Sequence, residues 1–420
     1  MSRISSVRAL EILDSRANPT LYVEVNTESG AMGWACAPSG ASTGSREAVE
    51  LRDGGKRFFG KGVTKCIAAV SEKVAPALRG RDVYQQQEID SLLREIDGTG
   101  NFSNIGANTS TAVSVACARA AAKEQGVELY RYFGVGLLTL PTPMFNIING
   151  GKHAGGGLAI QEFMLVPDAV SFQESLRIAT EVYHSLKEVI KSAKGASAVN
   201  VGDEGGFAPP FRHTREALDA ISSAVKAAGY SIGTDAYIAM DSAADSFFSS
   251  GKYSVDEREL SASELLDYYE ELVSEYPIIS LEDPFEENDW DSFTELTSTI
   301  GRVRVVGDDL LVTRIQSLQK AIELKACTGV IVKVNQVGTL SDAVGVIRLA
   351  KARGVVPIVS HRSGETEDPF VAHLATGYSS GAIKTGAPAR GERTVKYNEL
   401  LKISAWDSDT NFKGCSVFRV

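Results

Sequence analysis

PIISLEDPFEENDWDSFTELTSTIGRVRVVGDDLLVTRIQSLQKAIELKACTGVIVKVN, residues 277–335, states one pattern three times. An apolar run ends in a polar or charged residue, at Glu282, then Asp308, then Lys333, and an amphipathic stretch follows each of the first two. Working outward, YIAMDS precedes it with Asp241, VVPIVSHRS follows with His361 to Ser363, and GAIKTG ends on Lys384. From Glu282 onward these ends recur at about 25 residues, the length of one β/α unit in a barrel. In that architecture every strand delivers its last residue to the same rim. Three carboxylates, two lysines and an arginine then meet in one pocket, which is the composition of a catalytic mouth and not of a core.

The rest of the chain supports an α/β barrel preceded by a smaller domain. Residues 1–135 read as α+β: Leu21-Tyr-Val-Glu-Val alternates as a strand, and a Gly/Ser-rich loop runs from Pro38 to Ser45. Helical patterns follow at 63–78, 87–96 and 109–125. Leu140-Pro-Thr-Pro marks the boundary, because two prolines resist continuation of either helix or sheet. The barrel is assigned to 136–420, alternating short strands with helices, the first long ones at 171–191 and 214–228.

The 420 residues are 43% hydrophobic and 23% charged, enough for a normal core. A net charge of −10 argues against nucleic acid or an anionic membrane as a partner, so an anionic ligand must be met by local cations. Five scattered cysteines without a CxxC pair fit a reducing, cytoplasmic setting, and the N-terminus shows no secretory h-region. No apolar stretch approaches the length of a membrane span.

Asp241, Glu282 and Asp308 are candidate ligands for a hard divalent cation, which wants oxygen donors. A single strand-end Asp is commonly a cap or a turn residue, but capping does not require three on different strands to converge. Spacing alone does not separate Glu282 from Asp283, nor Asp308 from Asp309. Lys333 in an apolar strand reads either as a salt-bridged residue or as a base whose pKa nearby cations depress. The loop Asn149-Gly-Gly-Lys-His-Ala-Gly-Gly-Gly permits close backbone approach to a ligand, although such loops also merely turn corners. Gln161-Glu162 and Gly202-Asp-Glu-Gly-Gly bring further acids to the mouth, and Arg362-Ser363 before Gly364 suits a phosphate. No Walker or GxGxxG spacing occurs, so nucleotide binding has little support.

Nine ordered motifs resemble the enolase (phosphopyruvate hydratase) family over nearly the whole length. They are LDSRANPT from Leu13, APSGASTGSREA from Ala37, FNIINGGKHAGGGLAIQEFM from Phe145, NVGDEGGFAP from Asn200 and SLEDPF from Ser280. VGDDLLVT from Val306, VKVNQVGTLS from Val332, SHRSGETED from Ser360 and IKTGAPARGER from Ile383 complete the series. The resemblance implies a (β/α)8-type barrel with an N-terminal α+β cap, and reversible dehydration of 2-phosphoglycerate to phosphoenolpyruvate. It implies two Mg²⁺ per active site, the first on Asp241, Glu282 and Asp308 and the second on Ser42 of the GAST loop. It makes Lys333 the base at C2, and Glu204, supported by Glu162, the acid for the leaving hydroxyl. Lys384 then binds the substrate carboxylate, Arg362 and Ser363 its phosphate, and His153 and His361 line the pocket. A homodimer or larger homo-oligomer is also implied.

The family pattern is broken at four places: Ala17 replaces a glycine, Asp245-Ser246 replaces Ser-Glu, Pro369 replaces a hydroxyl residue and His373 an aspartate. Two alternatives therefore stay open, a paralogue acting on a phosphonate or phosphoenolpyruvate analogue, and a non-catalytic protein on the same scaffold.

Overall fold

The computed structural model describes residues 2–41, 44–134, 136–154 and 157–419. Three antiparallel strands, β1 (Ile4–Leu13), β2 (Pro19–Thr27) and β3 (Met32–Cys36), open the chain. The alternation read in β2 buries Leu21, Val23 and Val25 under the helix Ala107–Glu124. That helix lies so close to the sheet that a Cβ at Gly33 would collide with the Ala116 carbonyl and the Ala120 amide. Its alanine-rich face is what permits the approach.

A short strand, β4 (Leu138–Leu140), leads into the barrel strands β5 (Thr142–Asn149), β6 (Glu162–Pro167) and β7 (Ala236–Asp241). A small excursion, β8 (Phe248–Ser249), β9 (Lys252–Val255) and β10 (Arg258–Leu260), follows β7. Then come β11 (Ile278–Glu282), β12 (Arg304–Gly307), β13 (Gly329–Val332), β14 (Val356–Ser360) and β15 (Ala382–Lys384). The closed ring runs β11-β12-β13-β14-β15-β5-β6-β7, and β16 (Thr410–Phe412) pairs with β4 outside it. Met144, Met164, Val166, Ala239, Val306, Ile331 and Ile358 form one packed cluster of their own, so the lumen is filled and not a pore.

Two local readings differ from expectation. β6 runs antiparallel to both β5 and β7, with the glycine loop and, among the described residues, no long barrel helix between β5 and β6. The two helices, Phe172–Lys194 and Thr214–Ala227, therefore follow β6 together, and the strict strand–helix alternation starts only at β7. The prolines at 141 and 143 also do not stop the sheet: Pro143 is the second residue of β5, paired with Ile383. Thr142 donates its N–H towards Gly381 on the β15 side, so the missing N–H of Pro143 faces β6, where pairing begins only at Phe145.

The N-terminal domain is stitched to the barrel mouth. Ser39 and Gly364 exchange backbone hydrogen bonds at 2.8 Å in both directions, Ala48 N–H reaches the Gln336 carbonyl at 2.9 Å, and Arg46 caps the Leu310 carbonyl at 2.8 Å.

Candidate active site

Strand direction explains the convergence. Asp241, Glu282 and Lys384 are the last residues of β7, β11 and β15, while Asp308, Lys333 and His361 immediately follow β12, β13 and β14. Glu162 opens β6, and since β6 is reversed its first residue lies at the same rim, in register with Asp241 and Asn149.

Lys384 stands at the centre. Its Nζ is 2.7 Å from Glu282 Oε1, 3.0 Å from Asp241 Oδ2 and 3.2 Å from Glu162 Oε2. All four side chains are buried. Burial alone pushes the ammonium down, but the surrounding carboxylates outweigh it and hold the lysine well above its ordinary range. Burial pushes Glu162 and Glu282 well up, helped by their acidic neighbours. Lys333 donates a short hydrogen bond to Asp308 Oδ2, whose other oxygen accepts from Gln336 Nε2 at 2.9 Å. Burial lowers the Lys333 pKa and Asp308 raises it, with a net rise.

This donor set fits a divalent cation. Glu162, Asp241, Glu282 and Asp308 present carboxylates to only two ammonium groups, and Glu282 Oε2 is buried without a hydrogen-bond partner. Oxygen ligands in excess negative charge are what Mg²⁺ takes. The three expected ligands surround the lysines and do not form a compact knot by themselves. Among the described residues the knots that do form are His153–Glu162–Glu204 and Asp283–Asp308–Asp309, each with its ligand atoms within 4.8 Å of one another.

The structure also separates the ambiguous pairs. Glu282 faces Lys384 and Asp308 faces Lys333. Asp283, held at φ 41°, accepts the backbone N–H groups of Asp308 at 2.8 Å and Asp309 at 2.7 Å, and so braces the loop. Burial, with Asp308 beside it, pushes Asp309 up to about 8.

Across the mouth, Glu204 Oε2 accepts from Asn146 Nδ2 at 2.9 Å and lies 3.2 Å from His361 Nε2. His153 Nδ1 sits between the two acids, 3.6 Å from Glu162 and 3.7 Å from Glu204. Burial opposes ionisation of Glu204, but His361, His153 and Arg393 outweigh it and hold that carboxyl well below its usual range.

Arg362 is buried and ion-paired to Glu47, at 2.9 Å through Nη1 and 3.2 Å through Nη2, and also meets Asn335 Oδ1 at 3.1 Å. Ser363 Oγ accepts the Ala41 N–H at 2.8 Å, next to the GAST serine. Ser42 itself, and residues 155 and 156 of the glycine loop, lie outside the described residues.

Two family models cover the chain. "Enolase, N-terminal domain" matches residues 4–133 and "Enolase, C-terminal TIM barrel domain" matches residues 137–420. The chain belongs to the enolase family. It is 52% identical over 403 residues to the enolase of Aeropyrum pernix, covering 95% of this chain and 93% of that one. The enolase of Methanocaldococcus jannaschii is 51% identical over 402 residues, covering 95% and 94%. That of Corynebacterium kroppenstedtii is 49% identical over 424 residues, covering 100% and 99%. These relatives give the phosphonate alternative no support.

Sequence reading overlooked several residues that this enolase-family site uses. Glu47 on Arg362, Gln336 on Asp308 and Asn146 on Glu204 all sit inside motifs that were recognised without being given a task. Polar residues in otherwise apolar runs were the available signal for Asn146, in FNIIN, and for Gln336, in VKVNQV.

Proposed function

We propose that the chain interconverts 2-phosphoglycerate and phosphoenolpyruvate by proton abstraction at C2 and loss of the C3 hydroxyl. One observation carries the division of labour. In the eight-stranded ring β13 and β6 stand directly opposite each other. Lys333 follows the first and Glu162 opens the second, with Glu204 beside Glu162 through His153. Base and acid therefore approach a substrate held between them from opposite walls, as an elimination with proton and hydroxide leaving on opposite faces requires.

A proton next to an ionised carboxylate is very weakly acidic, because its loss puts a second negative charge on the same group. Lys384 places its ammonium where that charge develops. Asp241, Glu282 and Asp308 would hold one Mg²⁺ and Ser42 a second, and bound Mg²⁺ supplies further charge stabilisation at that carboxylate. A lysine base working beside Mg²⁺ is an established pattern of enolase-superfamily sites. Lys333 must give up the proton that Asp308 holds on it before it can take one from C2. Glu204, beside Glu162 across His153, has to hold a proton when the hydroxyl leaves. Arg362 and Ser363 take the phosphate, Arg362 exchanging Glu47 for it, while His153 and His361 complete the pocket.

The division into a 1–135 cap and a 136–420 barrel, a homodimer or larger assembly, and a cytoplasmic location belong to the same proposal. Among the described residues no helix is long and apolar enough to cross a membrane.

The test is direct turnover of 2-phosphoglycerate with Mg²⁺, followed by the ultraviolet absorbance of the enol product and abolished by EDTA. Absence of product sinks the proposal. Lys333→Ala is expected to stop exchange of the C2 proton with solvent, and exchange that persists removes Lys333 as the base. Glu204→Gln is expected to lose dehydration while retaining some exchange; equal loss of both would break the stepwise division.

A further inference from the structure

Arg393 is the largest fully buried side chain in the molecule's described part, and nothing in the proposed chemistry uses it. It lies in the first turn of the helix Gly391–Trp406, at the end of the IKTGAPARGER motif. Its guanidinium joins two loops, the one after β14 and the one that carries Glu204. Nη1 donates to the Arg362 carbonyl at 2.7 Å and meets His361 Nδ1 at 2.6 Å. Nη2 donates to the Ser363 carbonyl at 2.6 Å and the Asp203 carbonyl at 3.0 Å. One planar group thus spans the phosphate loop, the His361 ring and the loop that carries Glu204.

The His361 contact has a chemical consequence. A guanidinium has only donors, so at 2.6 Å the imidazole nitrogen facing it must be the acceptor. Nδ1 therefore carries no proton, and the single ring proton is on Nε2, 3.2 Å from Glu204 Oε2. The fixed charge of Arg393 also opposes a second proton on the ring.

We propose that Arg393 is a positioning residue that locks His361 as the neutral Nε2–H tautomer, so that the buried Nε2–H, which has no hydrogen-bond partner at rest, stands 3.2 Å from Glu204 as an available donor. The charged groups facing the imidazole are Glu204, Arg393 and Glu365. Burial and Arg393 push its pKa down to about 4 against the pull of Glu204 and Glu365. The lock sets an uncharged donor beside Glu204, whose Oε2 is otherwise held by Asn146 Nδ2 at 2.9 Å. The inference rests on the proposed part of Glu204 in dehydration only for its catalytic consequence; the tautomer itself does not depend on it.

The experiment is ¹⁵N NMR of the histidine-labelled, full-length protein without substrate, with His361 assigned by its loss in His361→Gln. The expected result is an unprotonated Nδ1 and a protonated Nε2 from pH 8 to pH 5. An Nδ1–H tautomer, or an imidazolium at pH 7, overturns the proposal whatever the turnover assay shows. Arg393→Lys then reads the consequence: with the guanidinium fork gone from Nδ1, an Nδ1–H tautomer becomes detectable, kcat falls about tenfold or more, and KM stays within about threefold. A rise in KM at unchanged kcat would assign Arg393 to the phosphate loop alone and overturn the link to Glu204. Should Arg393→Lys fail to fold, the measurement on the unsubstituted protein still decides.

Discussion

Ala17 sits at φ 57°, in the left-handed region, at the turn that joins β1 to β2. The turn is closed by Asp14, whose Oδ1 accepts the N–H groups of Arg16 and Asn18 at 2.8 and 2.9 Å, and by the Ala17 N–H on the Asp14 carbonyl at 3.0 Å. A Cβ in that region costs roughly 1–2 kcal/mol, and a glycine there would give back part of the gain through its freer unfolded chain. Ala17→Gly is therefore expected to stabilise the fold by about 0.5–1 kcal/mol, read as a higher denaturant midpoint at unchanged slope. An unchanged or lower midpoint would mean that the turn relaxes without strain. The same residue shows what sequence reading can reach. Ala17 stood out as a departure from pattern, yet only the backbone angle says why a glycine belongs there. Strand-end residues such as Lys333 were legible because strand termination and pocket position coincide. Arg393 was not, because a basic residue in the first turn of a helix looks like one facing solvent, and only packing turns it inward.

At the scale of one element, the helix Phe370–Gly377 collects two of the departures. Pro369 is its N-cap, where a missing N–H forfeits no intrahelical bond. His373 is buried, stacked on Tyr130 with ring centroids 6.0 Å apart, and 3.4 Å from Glu399 Oε1. Burial pushes its imidazole down to about 4, with Glu399 pulling the other way. A histidine whose folded pKa lies below its unfolded value stabilises the fold fully above about pH 6.5, and that contribution drains away as pH falls towards 4. The loss amounts to about 2–3 kcal/mol. His373→Gln is expected to remove that part of the acid limb, so the two proteins diverge between pH 6.5 and 4.5 in urea denaturation beyond any constant offset. Parallel curves would show that the ring takes up its proton in place, paired with Glu399. Element boundaries elsewhere followed the apolar periods closely, whereas the reversal of β6 did not announce itself, since alternation and burial look alike in both directions of a strand.

For the whole molecule, the fold was legible from the repeat, but the balance of charge at the mouth was not, because sequence spacing says nothing about which ammonium meets which carboxylate. The structure shows Glu162, Asp241 and Glu282 crowded on one lysine, with Glu162 and Glu282 both pushed towards their neutral forms. Such a site resists burial of its own charge, so the rim works against the stability of the barrel that carries it. A ligand that binds the folded state alone stabilises it by mass action, about 2.7 kcal/mol at a hundredfold excess over its dissociation constant. Spread over the unfolding entropy of a chain this long, that is a rise of about 3 °C in Tm. Mg²⁺ is therefore expected to raise the melting temperature relative to EDTA at matched ionic strength, pH and protein concentration. Glu282→Gln, which withdraws one carboxylate ligand from the ring, should lose most of the increment without losing the fold. Equal melting of the native chain in Mg²⁺ and EDTA would mean that protons alone balance the carboxylates and that the assigned metal site is wrong. Equal increments in the native chain and in Glu282→Gln would instead place the ion on the second acidic knot, at Asp283, Asp308 and Asp309.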